Sequence, residues 1–277
     1  HKFQSHTAIY FGDYPLARLS QLKFKRYFIV TDPFMVKSGA ADTLIRRLPA
    51  GCEHAVFSHV TPDPPTDLVA EGAVQLCRFG ADCLIALGGG SAIDTAKIMW
   101  IMYEHPEEGF LDMATTFLDI RKRIRFFPQM GKKAKLVCIP TTAGTGSECT
   151  PFTIISDANT GMKWPLIGYE MMPEMAIVDA DNMMKLPPRA TQASGYDVLT
   201  HAVEAYVSTF ATEYTNGMCR DATKMVFDYL PRAYYSAFRD AKPDPVAREK
   251  MANASALAGI EVGGQAVLGR QVSDATP

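Results

Sequence analysis

No stretch of this sequence stays apolar for the ~20 residues that a membrane-crossing helix needs, and no long run of one charge sign occurs. The first absence argues against a transmembrane segment, and His1-Lys2-Phe3 does not open a signal peptide. The second, with a formal net charge of -2, argues against nucleic acid or an anionic membrane surface as a partner. The densest basic cluster, Arg121-Lys122-Arg123-Ile124-Arg125, reads as a solvated helix face. C-x-x-C pairs are missing too. Cys52, Cys77, Cys83, Cys138, Cys149 and Cys219 are scattered, several of them in strands expected to be buried. That pattern suits reduced thiols and a cytoplasmic location. Internal repeats and low-complexity segments are absent, and no histidine follows His201. What remains is an ordinary globular composition. With 277 residues, 47% of them hydrophobic, the chain can build a large core in one large or two modest domains.

The first part alternates strand and helix. Tyr27 to Val30, Ala55 to Phe57, Leu84 to Leu87, Leu136 to Ile139 and Met175 to Val178 read as strands, with Ala41 to Arg47 and Asp67 to Arg78 as intervening helices. This order implies an α/β fold with a mostly parallel sheet covered on both faces. After Pro187-Pro188 strand signals vanish. Ala193 to Ser208 and Asn216 to Phe238 are helical in period, and a third helix starts at Asp244 as cap with Pro245 at its first position. A boundary near Asp181 to Pro188 therefore divides an α/β domain, 1–184, from an all-α domain, 185–277.

Two loops carry the chemical signal. In the first, GGGSAIDTAK, Gly88, Gly89 and Gly90 follow a buried strand and let the backbone turn with no Cβ in the way of a ligand. Ser91 is expected to cap the next helix, with Asp94 completing a capping box, so that first-turn N–H groups point at a phosphate above the glycines. The spacing is not G-x-G-x-x-G, and a ligand-free turn is an equal reading. In the second, PTTAGTGSE, Thr141, Thr142, Thr145 and Ser147 offer four hydroxyls after another apolar strand. Two such loops suggest one crevice at the carboxyl edge of a parallel sheet.

Asp197 and His201, in GYDVLTHAVEAY, stand four apart on an expected helix and share a face. Carboxylate plus imidazole suits a divalent transition metal, although such a pair alone is more often a surface hydrogen bond. His54 and His59 read as surface residues around a strand.

Taken in order, GGGSAIDTAK, PTTAGTGSE and GYDVLTHAVEAY resemble the iron-containing (group III) alcohol dehydrogenase family. The stretch with MYEHPEEGF and FLDIRKRIRFFPQMGKKAK looks closer still to the alcohol dehydrogenase half of bifunctional aldehyde-alcohol dehydrogenases. The likeness runs from about Ile9 to Ile260. It implies a dinucleotide-binding α/β domain followed by a helical metal domain, and NAD-dependent interconversion of a short primary alcohol and its aldehyde in a homo-oligomer. On matching positions, Gly89, Gly90, Ser91 and Asp94 would bind the cofactor, the first three at its pyrophosphate. Thr141, Thr142, Thr145 and Ser147 would lie along the phosphates and nicotinamide side. Asp32 would take the adenosine ribose hydroxyls, favouring NAD over NADP, though on residues alone it is a turn former before Pro33. Lys163 matches a family lysine near the cofactor and otherwise reads as an exposed loop cation. Asp197 and His201 match the first two ligands of iron, or of zinc. Two further family histidines are expected where Val272 and Thr276 stand, which makes the helical domain look incomplete and predicts uncovered apolar surface on its helices between Ala193 and Ile260. Alternatives are a catalytically inactive nucleotide-binding fragment with a role in assembly, or a glycerol dehydrogenase-like relative.

Overall fold

Strands that are apolar at every position, rather than at alternate ones, belong in a sheet with both faces covered. The computed structural model describes residues 6–107, 128–158, 160–238 and 240–274, with the side chains of the last helix only as far as Gly263. Six parallel strands form its main sheet in the order β1-β8-β5-β4-β2-β3. These are β1 (Ala8–Tyr10), β2 (Arg26–Thr31), β3 (Glu53–Phe57), β4 (Cys83–Gly88), β5 (Lys135–Pro140) and β8 (Met175–Ile177). Phe28, Val30, Leu84, Ala86, Leu136 and Cys138 face one hydrophobic layer, where α3 (Thr66–Phe79) and α4 (Gly90–Glu104) pack. Tyr27, Ile29, Ile85, Leu87, Val137 and Ile139 face the other, closed by Leu16, Leu19 and α2 (Ala40–Ile45). A short helix, α1 (Pro33–Lys37), follows β2 directly.

The five strands read from the sequence are all present, longer or shorter by one or two residues. Three were not anticipated. β1 is only three residues long and draws its identity from pairing with β8, Ala8 opposite Met175. β6 (Phe152–Ser156) and β7 (Lys163–Ile167) form a separate antiparallel hairpin, and Pro165 inside β7 removes the donor that a strand reading relies on.

Beyond Ile177 the described residues are helical: α5 (Pro188–Val207), α6 (Glu213–Tyr235) and α7 (Pro245–Asp274). α5 begins a turn and a half before Ala193 because Pro188 stands in its first turn. α6 begins before Asn216 because Thr212 and Thr215 make a reciprocal capping box, with bonds of 3.0 and 3.3 Å. α7 starts as expected, Asp244 Oδ1 accepting from the Ala247 amide at 3.0 Å. On these helices Tyr196, Val203, Val207 and Phe227 are exposed, Val207 at 73%. The cluster 121–125 lies outside the described residues.

One buried group is out of balance. Glu261 on α7 is fully buried, its carboxyl set against the Cys219 thiol of α6, a weak donor that leaves the buried charge poorly solvated. Burial pushes its carboxyl up to about 8 from 4.5, helped by the nearby Asp221. The folded state thus keeps a proton that the unfolded chain releases, so stability falls as pH rises from about 4.5 to about 8 and is level on either side. Glu261→Gln is expected to melt with the wild type at pH 4.5 and above it at pH 9; equal midpoints at both pH values would contradict this.

Candidate cofactor and metal site

β4 and β5 are neighbours that end together, Gly88 opposite Pro140, so both small-residue loops leave the same carboxyl edge. Gly88 has φ +155°, and a Cβ there would stand 2.6 Å from the Ala92 Cβ. Only glycine makes this turn. Gly89 is the helix N-cap, and no side chain caps α4. The capping box expected from Ser91 and Asp94 is therefore not formed: the helix starts two residues earlier, which places Ser91 inside the first turn, where its carbonyl accepts from Thr95 Oγ1. The first-turn N–H groups are left facing the glycine turn without a side-chain acceptor.

The second loop presses onto the first. A Cβ on Gly89 would meet the Thr142 side chain at 3.3 Å, and one on Gly90 would meet Thr145 at 2.8 Å. The Thr141 amide donates to the Gly88 carbonyl at 3.0 Å. From the adjoining β2, Asp32 caps α1, its Oδ1 accepting from Phe34 and Met35 amides at 2.8 and 3.0 Å. Its Oδ2 faces the glycine turn, 3.5 Å from where a Gly88 Cβ would be. Asp32, Gly89, Gly90, Thr141, Thr142 and Thr145 thus come together at the carboxyl edge of the sheet, with main-chain donors and hydroxyls among them.

Asp94 and Ser147 lie behind that surface. Ser147 Oγ donates to Asp94 Oδ1 at 2.7 Å, and Asp94 Oδ2 accepts from the Ile154 amide at 3.0 Å. Beside them Lys97, 0% exposed, shares its ammonium protons among the Thr150 carbonyl (2.7 Å), the Phe152 carbonyl (2.7 Å), Thr150 Oγ1 (3.2 Å) and Ser147 Oγ (3.3 Å). Burial pushes the Lys97 ammonium down and the Asp94 carboxyl up, and each charge opposes the shift of the other. Glu148, also buried, is pushed up to about 7 by burial. α4 is thereby tied to residues 147–154. Sequence reasoning passed over Lys97, yet a lysine amid Ile93, Ala96, Ile98, Met99 and Ile101 is itself a signal, since such a charge is stable only with partners.

The same loop touches the helical region. A Cβ on Gly144 would meet Ser194 Cβ of α5 at 2.8 Å, and one on Gly146, at φ +60°, would meet the Ser255 carbonyl of α7 at 2.6 Å. One turn beyond Ser194 comes Asp197, and one more turn brings His201. Both are part-exposed, with His201 Nε2 3.7 Å from Asp197 Oδ1. Ligands about 2.1 Å from a shared metal at a tetrahedral angle would stand roughly 3.4 Å apart, so the pair fits two positions of a metal shell. His201 Nδ1 is buried and has no hydrogen-bond partner among the described residues. Among the described residues no three His, Cys, Asp or Glu side chains gather as a metal group, and the side chains of Val272 and Thr276 lie outside them. Lys163 is placed elsewhere: it opens β7, on a strand rather than in a loop, exposed and paired with Asp63 at 2.6 Å.

The sequence pattern of the iron-containing alcohol dehydrogenase family matches residues 6–180, and that of the Fe-containing alcohol dehydrogenase C-terminal region matches residues 191–270. The chain is 48% identical over 237 residues to the bifunctional aldehyde-alcohol dehydrogenase AdhE of Escherichia coli K12, covering 85% of the chain and 26% of that protein. It therefore spans about a quarter of that relative. Among solved structures, the iron-containing alcohol dehydrogenase of Thermococcus thioreducens superimposes with TM-score 0.85 at 30% identity, over 95% of this chain and 68% of that one. Sulfoacetaldehyde reductase of Bifidobacterium kashiwanohense in complex with NAD+ gives 0.83 at 29% identity, over 94% and 66%.

Replacing Lys97 by Met removes the donor for four acceptors and strands the Asp94 charge. A loss of about 3–5 kcal/mol in chemical denaturation is expected. Adding Asp94→Asn should recover part of it. If the single variant unfolds with the wild type, the ammonium does not hold this region together.

Proposed function

The chain belongs to the iron-containing alcohol dehydrogenase family, and from that premise we propose that it binds NAD at the carboxyl edge of its sheet and serves hydride transfer between a short primary alcohol and its aldehyde. The observation that carries this reading is the meeting of the two loops, Gly89 against Thr142 and Gly90 against Thr145. A pyrophosphate suits that place because α4 begins there with no side-chain cap, leaving the N–H groups and positive end of its dipole to an anion. Gly89, Gly90 and Ser91 would hold the pyrophosphate, and Thr141, Thr142 and Thr145 would line the path to the nicotinamide. Asp94 and Ser147 would act from behind, by fixing where that loop sits. For Lys163, engaged with Asp63, the fold offers no support beyond the resemblance.

Asp32 would choose the cofactor. Its Oδ1 is committed to capping α1, while Oδ2 faces the turn and would accept from a ribose diol. A 2′-phosphate there would meet like charge. Asp197 and His201 would hold a divalent metal, iron or zinc, together with ligands from outside the described residues. When bound, such a metal supplies Lewis acidity that lowers the pKa of an alcohol and polarises an aldehyde carbonyl. The residues of the chain orient the two reactants, since the loop that holds the cofactor packs on α5 one turn before Asp197.

A second reading, a nucleotide-binding chain without turnover, is favoured by the metal half-site, which among the described residues is limited to Asp197 and His201. Calorimetric titration with NAD+ and NADP+, beside ethanol-dependent NADH formation after reconstitution with ferrous iron, separates the two. NAD+ is expected to bind in preference, and Asp32→Ser to shift the preference toward NADP+ by on the order of tenfold. Binding with turnover supports the dehydrogenase, and binding without it the second reading. No NAD+ binding at millimolar concentration would overturn both.

A further inference from the structure

Behind the second loop one cation meets two carboxyl groups. Lys97 and Asp94 of α4 account for one of each, and both are well supplied: the ammonium has four oxygen acceptors, while Ser147 Oγ donates to Asp94 Oδ1 and the Ile154 amide to Oδ2. Glu148 is the group left over. It is 1% exposed, and its Oε1 has no hydrogen-bond partner among the described residues. Lys97 is the one charge that acts on it. The other elements packed here add none. β5 offers the Cys138 thiol, the loop itself the Cys149 thiol, and β8 only apolar side chains, while α7 meets the loop at Ser255, Gly259 and Gly263.

A second carboxylate charge would outnumber the ammonium in a dry interior, so Glu148 is the carboxyl that retains a proton. Burial raises it to about 7, against the pull of its own main-chain N–H and of Lys97. It is therefore close to half-protonated in neutral solution. Glu148 stands three positions after Thr145, which lies against Gly90, a span of chain that reaches at most ~10 Å. One phosphate charge about 10 Å away, acting through an effective dielectric of about 20, shifts a carboxyl by roughly one pH unit. Like charges set the direction, which is upward. We propose, resting on the reading of this edge as a dinucleotide site, that cofactor binding is coupled to the uptake of one proton from solvent by the Glu148 carboxylate. Protonation leaves Lys97 with Asp94 alone, and the pyrophosphate meets one negative charge fewer. Affinity thus falls as pH rises from about 7 to roughly one unit above it, and is level on either side. NADH, which lacks the positive charge of the oxidised nicotinamide, draws the proton more strongly than NAD+.

Calorimetric titration of the whole chain with NAD+ and with NADH, in PIPES and in Tris buffers of different ionisation enthalpy, counts the protons taken up. About 0.4 proton per NADH is expected at pH 7 and almost none at pH 5, with affinity roughly tenfold weaker at pH 9 than at pH 6. Glu148→Gln, which matches the neutral acid in shape, should bind with no buffer dependence and with equal affinity at the two pH values. Should that variant fail to fold, infrared difference spectra of the wild type at pH 7 should gain a protonated-carboxyl carbonyl band on addition of NADH. The absence of that band would overturn the proposal. Binding without proton uptake, or uptake retained in Glu148→Gln, overturns this inference and leaves the cofactor reading standing. No binding of either dinucleotide at millimolar concentration overturns both.

Discussion

The buried ammonium of Lys97 is the constraint on which the architecture around the site depends. A lysine with no exposed surface in an apolar helix must be given acceptors, and here they are the Thr150 and Phe152 carbonyls and the Ser147 and Thr150 hydroxyls. All belong to the segment that follows β5. The cation leaves that segment little freedom to move away from α4 without stranding a charge in a low-dielectric interior. Asp94, one turn before Lys97, extends the hold through Ser147 and the Ile154 amide. The glycine turn at the head of α4 and the threonines of the second loop are thereby set against each other.

The second loop is also part of the helical core. Ala143 and Cys149 pack in the same hydrophobic cluster as Val198, Val226, Leu230 and Met251, and Gly144 and Gly146 allow α5 and α7 to approach its backbone. One ten-residue segment thus touches the sheet edge, the first turn of α4 and two helices of the second region. Its threonines look toward the glycine turn, and its far side meets α5 a turn ahead of Asp197 and His201. That arrangement brings a surface suited to pyrophosphate and a carboxylate-imidazole pair to neighbouring places on one molecule.

Much of this was legible in the sequence. β2, β4 and β5 announce themselves because strands buried on both faces are apolar throughout, and Asp244-Pro245 marks a helix start by a local rule of capping. The meeting of the loops followed from two small-residue turns at the ends of such strands. What escaped was non-local. β1 exists only by pairing with β8, and Pro165 disguised β7. Asp94 fits a capping-box spacing from Ser91, but the helix starts at Gly90 and the carboxylate turns inward to Ser147. Local spacing could not reveal a partner fifty residues away. The tie between Lys163 and Asp63, one hundred residues apart, escaped for the same reason. Asp32 carries two meanings at once, helix cap by one oxygen and open acceptor by the other, which a one-dimensional reading had to treat as alternatives.

We propose that residues 88–95 and 141–150 form one cofactor-binding surface. Hydrogen–deuterium exchange of the intact chain with and without saturating NAD+ tests it most directly. The account predicts added protection confined to these two segments and the Asp32 turn. Protection of one loop without the other, or of neither, would contradict it.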